Sequence, residues 1–276
     1  MMKYAILLIT CNVTLLFMPT SVSGEIRLTI GSDHWPPYEL AEKDFVTNGF
    51  STQVVEAVLK RMDVKIEGKI HLYPFARLEH HILHAHIDAA FSLSSNTERQ
   101  TACYFPEEPL IDSKWVLFIR QKDKNRLTFS TLDDLKGKTI GVVRQYAYTP
   151  AFWAFLKKEN NYETVSNDEQ NFIKLHSGRI DYVIAEYANA LTILENLGLN
   201  DELIPLLTQP VYKTGLYVIF NKRRISEQFV TQFSDTLKAF KDTPEYYRIH
   251  QNYFASQPLD KAEFYHICHR GNCAVR

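Results

Sequence analysis

Leu83-His84-Ala85-His86-Ile87-Asp88-Ala89-Ala90-Phe91-Ser92-Leu93-Ser94-Ser95-Asn96-Thr97-Glu98-Arg99-Gln100 reads as a strand, a hydroxyl-rich turn and the start of a helix. Ile87 to Phe91 is an apolar run broken only by Asp88, too short for a helix and suited to a buried strand of a parallel sheet. Ser95 and Glu98 have the spacing of a capping box, which predicts a helix beginning near Asn96. Hydroxyls and unpaired N–H groups then point out of the carboxyl end of a strand, where open α/β sheets bind ligands, and Arg99 joins them in the first helical turn. An anion, most simply a carboxylate, fits there. The same residues also suit an ordinary strand-to-helix connection with a solvated arginine, and the stretch alone leaves both readings open.

A second copy favours a site. Leu175-His176-Ser177-Gly178-Arg179-Ile180-Asp181-Tyr182-Val183-Ile184 repeats Leu-His-x-x-x-Ile-Asp before an apolar run. Upstream of each copy lies another echo, Thr29-Ile30-Gly31 and Thr139-Ile140-Gly141. Two echoes in one order point to two α/β lobes of similar plan with a ligand between them.

Composition is that of a globular chain, with 45% hydrophobic and 23% charged residues. The formal charge is −1, becoming −2 (30 basic against 32 acidic) without the first 24 residues, whose only charge is Lys3. Nucleic acid is therefore no expected partner. Residues 1–24 have the layout of a secretory signal peptide: Lys3, an apolar run from Tyr4 to Met18, then Pro19 and Ser21-Val22-Ser23-Gly24. Cys11 inside that run could carry a lipid, a reading with little support. No later stretch approaches the ~20 apolar residues of a membrane span. An exported chain meets oxidising conditions, so Cys268 and Cys273 are expected to form a local disulfide, with Cys103 left over and buried. His266 and His269 interleave with that pair, and His80, His81, His84 and His86 crowd one segment. Metal binding by either group is weighed and set aside, the first for the disulfide and the second for a solvated helix face.

In chain order, Ile26 to Ile30 forms a strand, and Asp33-His34-Trp35-Pro36-Pro37-Tyr38 presents two rings from a loop that its prolines stiffen. Val54, Val55, Val58, Leu59 and Met62 make the core stripe of a helix, followed by Tyr73-Pro74-Phe75-Ala76-Arg77 and a second helix. Trp115 to Arg120 and Leu216 to Phe220 are apolar strands that bracket the second α/β copy, the layout of a hinged clamp with two crossovers. Within the insert, residues 132–138 form a short helix ending at Gly137, Thr139 to Val143 a strand, and Thr149-Pro150 starts a helix. Phe229, Phe233, Leu237 and Phe240 form the core stripe of a later helix.

Taken together, the Asp33 to Tyr38 loop, Gly49-Phe50, Ile87-Asp88 with Ser92 to Arg99, Leu132 to Val142 and Ile180-Asp181 resemble the extracellular solute-binding proteins of polar amino-acid uptake systems, family 3, over about Ile26 to Phe254. The Tyr73 to Arg77 piece resembles a divergent branch. The resemblance implies an α/β, two-lobed periplasmic-binding-protein fold (type II) with lobes joined by two crossover strands. The expected division is signal peptide 1–24, first lobe 25–116 and 216–255, second lobe 117–215, and tail 256–276.

In that family an arginine after the hydroxyl-rich turn grips the ligand carboxylate. Arg99 matches it, with Ser92 and Ser94 beside it. Trp35 and Phe75 match the aromatic pair that sandwiches the ligand, and Glu186 falls where an aspartate usually meets the α-ammonium group. Gln145-Tyr146-Ala147 replaces the family's Gly-Ser-Thr turn. Asp33, Tyr38, Arg77 and Tyr146 complete the expected ligand-binding set. The implied protein is a periplasmic monomer, not an enzyme, without cofactor or metal, that hands a small zwitterionic solute to an inner-membrane ABC permease. A dehydratase of the cyclohexadienyl type and a sensory protein acting through a separate receptor are the alternatives.

Overall fold

A computed structural model describes residues 25–254. The leader at 1–24 with Cys11, and the tail with His266, Cys268, His269 and Cys273, lie outside the described residues.

The two sequence echoes become one structural device used twice. The Asp88 carboxylate accepts from the backbone N–H and hydroxyl of Thr29 at 2.7 and 2.6 Å, while the Asp88 N–H donates to the Thr29 carbonyl at 2.8 Å. Asp181 does the same for Thr139, accepting its N–H at 3.0 Å and donating to its carbonyl at 2.8 Å. Each aspartate therefore fixes the register of a parallel pair: Ile30–Ser32 beside Ala89–Leu93 in the first lobe, and Ile140–Val143 beside Tyr182–Glu186 in the second. The glycine that follows each Thr-Ile is also needed. A β-carbon on Gly141 would meet Ile180 Cδ1 at 2.5 Å and Asn171 Oδ1 at 2.6 Å, and one on Gly31 would meet the Tyr73 ring at 2.9 Å.

Two ten-residue strands, Ile111–Arg120 and Tyr212–Asn221, join the lobes. They pair antiparallel with each other between Ile111–Trp115 and Tyr212–Leu216. Beyond that shared segment they part: Trp115 to Phe118 pairs with Glu186 to Val183 in the second lobe, whereas Tyr217 to Phe220 pairs with Leu93 to Ala89 in the first. Residues that begin each crossover thus sit at the seam where the lobes hinge.

Helices cover both faces. The helix Phe50–Arg61 buries Val54, Val55, Val58 and Leu59, and Glu227–Lys241 buries Phe233, Leu237 and Phe240 against it. Phe50 itself is fully buried, edge-on to Tyr38, Tyr246 and Phe254. In the second lobe Phe118 and Phe172 meet edge to face at 5.3 Å. The helix Pro150–Glu159 starts as its sequence predicts, with Thr149 Oγ1 accepting from the Phe152 N–H and proline at the first position.

Boundaries differ in the opening stretch. The strand is Ala89–Leu93, two residues later than Ile87 to Phe91, because Asp88 is spent on Thr29. The following helix, Thr97–Ala102, is capped by Asn96, whose side chain accepts from the Arg99 N–H at 2.8 Å. Ser95, the expected cap, accepts instead from the Gln100 side chain.

Candidate functional site

The carboxyl ends of the paired strands open into the seam between the lobes. From the first lobe, Ile30–Ser32 ends at Asp33 and the turn that carries Trp35, Tyr38 and Glu39. The Trp35 ring stacks on Tyr38 at 4.9 Å and on Trp115 of the crossover at 6.2 Å. From the second lobe, Tyr146 stands edge-on to Trp35, Trp115 and Phe75. Five aromatic rings from four separate parts of the chain therefore build one wall.

Polar links cross the seam. The Trp35 indole N–H donates to Asp168 Oδ2 at 3.4 Å, and the Tyr146 hydroxyl donates to the same oxygen at 3.0 Å. The Asn189 amide donates to the Pro36 carbonyl at 2.6 Å. Between the lobes lie a groove of ≈ 680 Å³ and a smaller cavity of ≈ 30 Å³, both lined by Asp33, Trp35, Phe75 and Tyr146. The cavity also touches Ser92, Ser94 and Arg99; the groove also touches Arg77, Asp168 and Asn189. The cavity has room for only one or two water molecules.

The electrostatics are dominated by carboxyl groups. Burial pushes Asp33 up to about 7, with Asp168 adding repulsion. Burial raises Asp168 to about 6, against the pull of the Tyr146 and Trp35 donors. Glu39, behind Asp33, is held well above its ordinary range by burial and by Asp33, and its carboxyl meets the Ser92 hydroxyl. Glu186 is raised to about 7 by burial, partly offset by the N–H groups of Asn189 and Ala188 and by the Tyr38 hydroxyl.

The residues expected from sequence to bind ligand divide into two sets. Asp33, Trp35, Phe75, Ser92, Ser94, Arg99 and Tyr146 line the cavity, and Arg77 stands exposed on the groove. Tyr38 and Glu186 lie behind the wall: Glu186 caps the helix Tyr187–Leu197 by accepting from the Asn189 N–H at 2.8 Å. Arg99 is 1% exposed and already engaged. Its Nε and Nη2 donate to Glu79 Oε1 at 2.9 and 2.8 Å, and its Nη1 donates to the Ser94 carbonyl at 2.7 Å. The Phe75 ring lies 5.5 Å below the guanidinium.

Glu79, Trp115, Asp168 and Asn189 are site residues that sequence reasoning did not single out. Glu79 carried a signal, a charge beside Leu78 and Ile82 on the buried face of the helix Phe75–Leu83. Asp168 carried none beyond a run of acidic residues after the cap Asn167. Elsewhere, His80 and His84 stack at 4.2 Å and His81 Nδ1 lies 3.1 Å from His86 Nδ1. Among the described residues no group of three or more histidine, cysteine or acidic side chains is arranged to hold a metal ion. Cys103 is buried with a free thiol, which burial pushes up to about 11.

The family model for bacterial extracellular solute-binding proteins, family 3, matches residues 28–256. The chain belongs to this family. Among relatives, an arginine-binding periplasmic protein of Mannheimia haemolytica is 24% identical over 249 residues, covering 88% of this chain and 98% of the relative. Two solved structures share the family 3 fold at lower identity. An arginine-, lysine-, histidine-binding protein of Geobacillus stearothermophilus aligns with a TM-score of 0.69 at 21% identity, over 87% of this chain and 99% of that one. A histidine kinase sensor domain with similarity to periplasmic binding proteins aligns with a TM-score of 0.70 at 17% identity, over 83% of this chain and 96% of that one. This family 3 chain is therefore a two-lobed solute-binding protein, and among the described residues no helix is long and apolar enough to cross a membrane.

Proposed function

We propose that the chain is an exported periplasmic receptor, released from its leader at 1–24, which captures a small amine-bearing solute between its lobes. The solute is an amino acid or a derivative of one, and the protein delivers it as a monomer to an inner-membrane ABC permease. The observation that carries this reading is the seam itself: Trp35 from one lobe and Asp168 from the other meet across it, beside a stacked aromatic wall. Aromatic faces and carboxylates together suit a cationic nitrogen, since a cation over such a ring gains about 0.5–2 kcal/mol. The arginine-binding relative agrees in ligand class. Binding without turnover is the expected activity, in line with the arginine-binding relative.

A thermal-shift screen of amino acids and amines tests it. A ligand at a hundred times its dissociation constant adds about 2.7 kcal/mol of apparent stability. Solution scattering should show a smaller radius of gyration with that ligand than without it, as expected for hinged lobes. A screen in which no amine raises the melting temperature would overturn the proposal.

A further inference from the structure

The seam is unbalanced in charge, and its one buried arginine does not correct this. Three of the five N–H groups of Arg99 are already used, two on Glu79 and one on the Ser94 carbonyl. Glu79 is 8% exposed, so the pair forms a closed, neutral unit at the back of the cavity. A ligand carboxylate arriving there would place a second buried anion beside Glu79 on a cation whose charge is already met. Burying like charges together is costly, and the paired arginine returns little for it.

The opposite holds along the groove. Asp168 is 3% exposed, its Oδ2 accepts from Trp35 and Tyr146, and its Oδ1 has no partner. Asp33 lines the same groove and the same cavity. Glu186 and Glu39 are two further carboxyls buried behind the wall, both raised by burial. Among the described residues lining the groove Arg77 is the one lysine or arginine, and it is exposed. The rings of Trp35, Phe75, Tyr146 and Trp115 line the cavity together with Asp33 and Arg99. The arrangement has unpartnered acceptor capacity for a cationic nitrogen at Asp168, whereas the buried cation of the cavity is already paired with Glu79.

We infer that the ligand is an organic cation without a carboxylate, a primary amine, diamine or guanidine, whose charged nitrogen pairs with Asp168 and Asp33 while its chain lies against the aromatic wall. This rests on the reading of the seam as the ligand site. Glu79 acts as a built-in occupant of the arginine fork and so excludes the amino-acid carboxylate.

Matched pairs that differ only in that carboxylate test the inference on the wild-type chain by calorimetry: arginine against agmatine, lysine against cadaverine, ornithine against putrescine. At least one decarboxylated member should bind tenfold or more tighter than its amino acid. If the amino acid binds as tightly or more tightly in every pair, the inference fails while the receptor reading stands. If no member of any pair binds, both fail together. The Glu79→Gln variant frees the Arg99 fork and should move the ratio within the best pair at least tenfold toward the amino acid. An unchanged ratio in a folded Glu79→Gln protein would overturn the role given to Glu79.

Discussion

Glu186 makes the stability of this protein depend on pH in a direction opposite to that of most surface carboxylates. It is 2% exposed, and burial raises it from an ordinary value near 4.5 to about 7. The folded chain thus holds this proton more tightly than the unfolded chain. Between about pH 4.5 and 7 the unfolded form has already ionised while the folded form still carries the proton, so stability falls as pH rises and the loss is complete above about 7. At about 1.4 kcal/mol for each tenfold change in proton affinity, the loss from this one residue is about 3 kcal/mol. Glu186→Gln removes the titration and keeps a side-chain oxygen for the Asn189 N–H, so the helix cap survives. Urea unfolding followed by circular dichroism at several values from pH 4.5 to 8 should show wild type losing about 3 kcal/mol more than Glu186→Gln. Asp33 and Asp168 are present in both proteins, and their own falling contributions cancel in the comparison. Parallel stability curves for the two proteins would refute the assignment of a buried, protonatable Glu186.

Arg99→Ala should destabilise the fold by about 3–5 kcal/mol because it leaves Glu79 buried and unpaired, and the Arg99→Ala, Glu79→Ala double variant should recover part of that. Strictly additive losses in a double-mutant cycle would show that the pair is not coupled. Gly141→Ala should cost about 1–3 kcal/mol through its clash with Ile180 and Asn171. Gly31→Ala should cost less, since the nearest atoms in its path, those of Tyr73 and Ile87, stand at 2.9 and 3.0 Å rather than 2.5 and 2.6 Å. Equal urea midpoints for the two would count against that account. Phe50→Ala, emptying the meeting point of Tyr38, Tyr246 and Phe254, should cost about 3–5 kcal/mol by the same measurement.

Local patterns in this chain were legible where a neighbour in sequence decides the structure. Thr149-Pro150 starts its helix because a cap and an N1 proline act within one turn. The Ile-Asp echo was visible as a repeat, and its cause is that the same backbone bond must be secured in both lobes. Ser95 against Asn96 shows the limit: either side chain can cap, and the choice follows from where the strand ends. The Arg99–Glu79 pair spans 20 residues, and Trp35 with Asp168 spans 133. No periodicity or spacing encodes such meetings, because they depend on how two lobes come together and on which carboxylates lose water there. Arg99 was readable as a residue at the cavity and Glu79 as a charge on a buried helix face, but their pairing was not.

Two of the three tryptophans in the chain occupy the seam, stacked on each other, and the indole N–H of one is bonded to the far lobe. The protein therefore carries its own optical gauge. When the lobes part, Trp35 must give up Asp168 and its place beside Tyr146, and the indole passes from a ring-lined, dehydrated setting to water. The remaining tryptophan, Trp153, lies beside Tyr148 and Tyr162 and donates its indole N–H to the Tyr146 carbonyl, all within the second lobe, so its own contacts travel with that lobe. The rate of opening can thus be followed in the unlabelled chain, on the timescale of the hinge itself, without attaching a dye to either lobe.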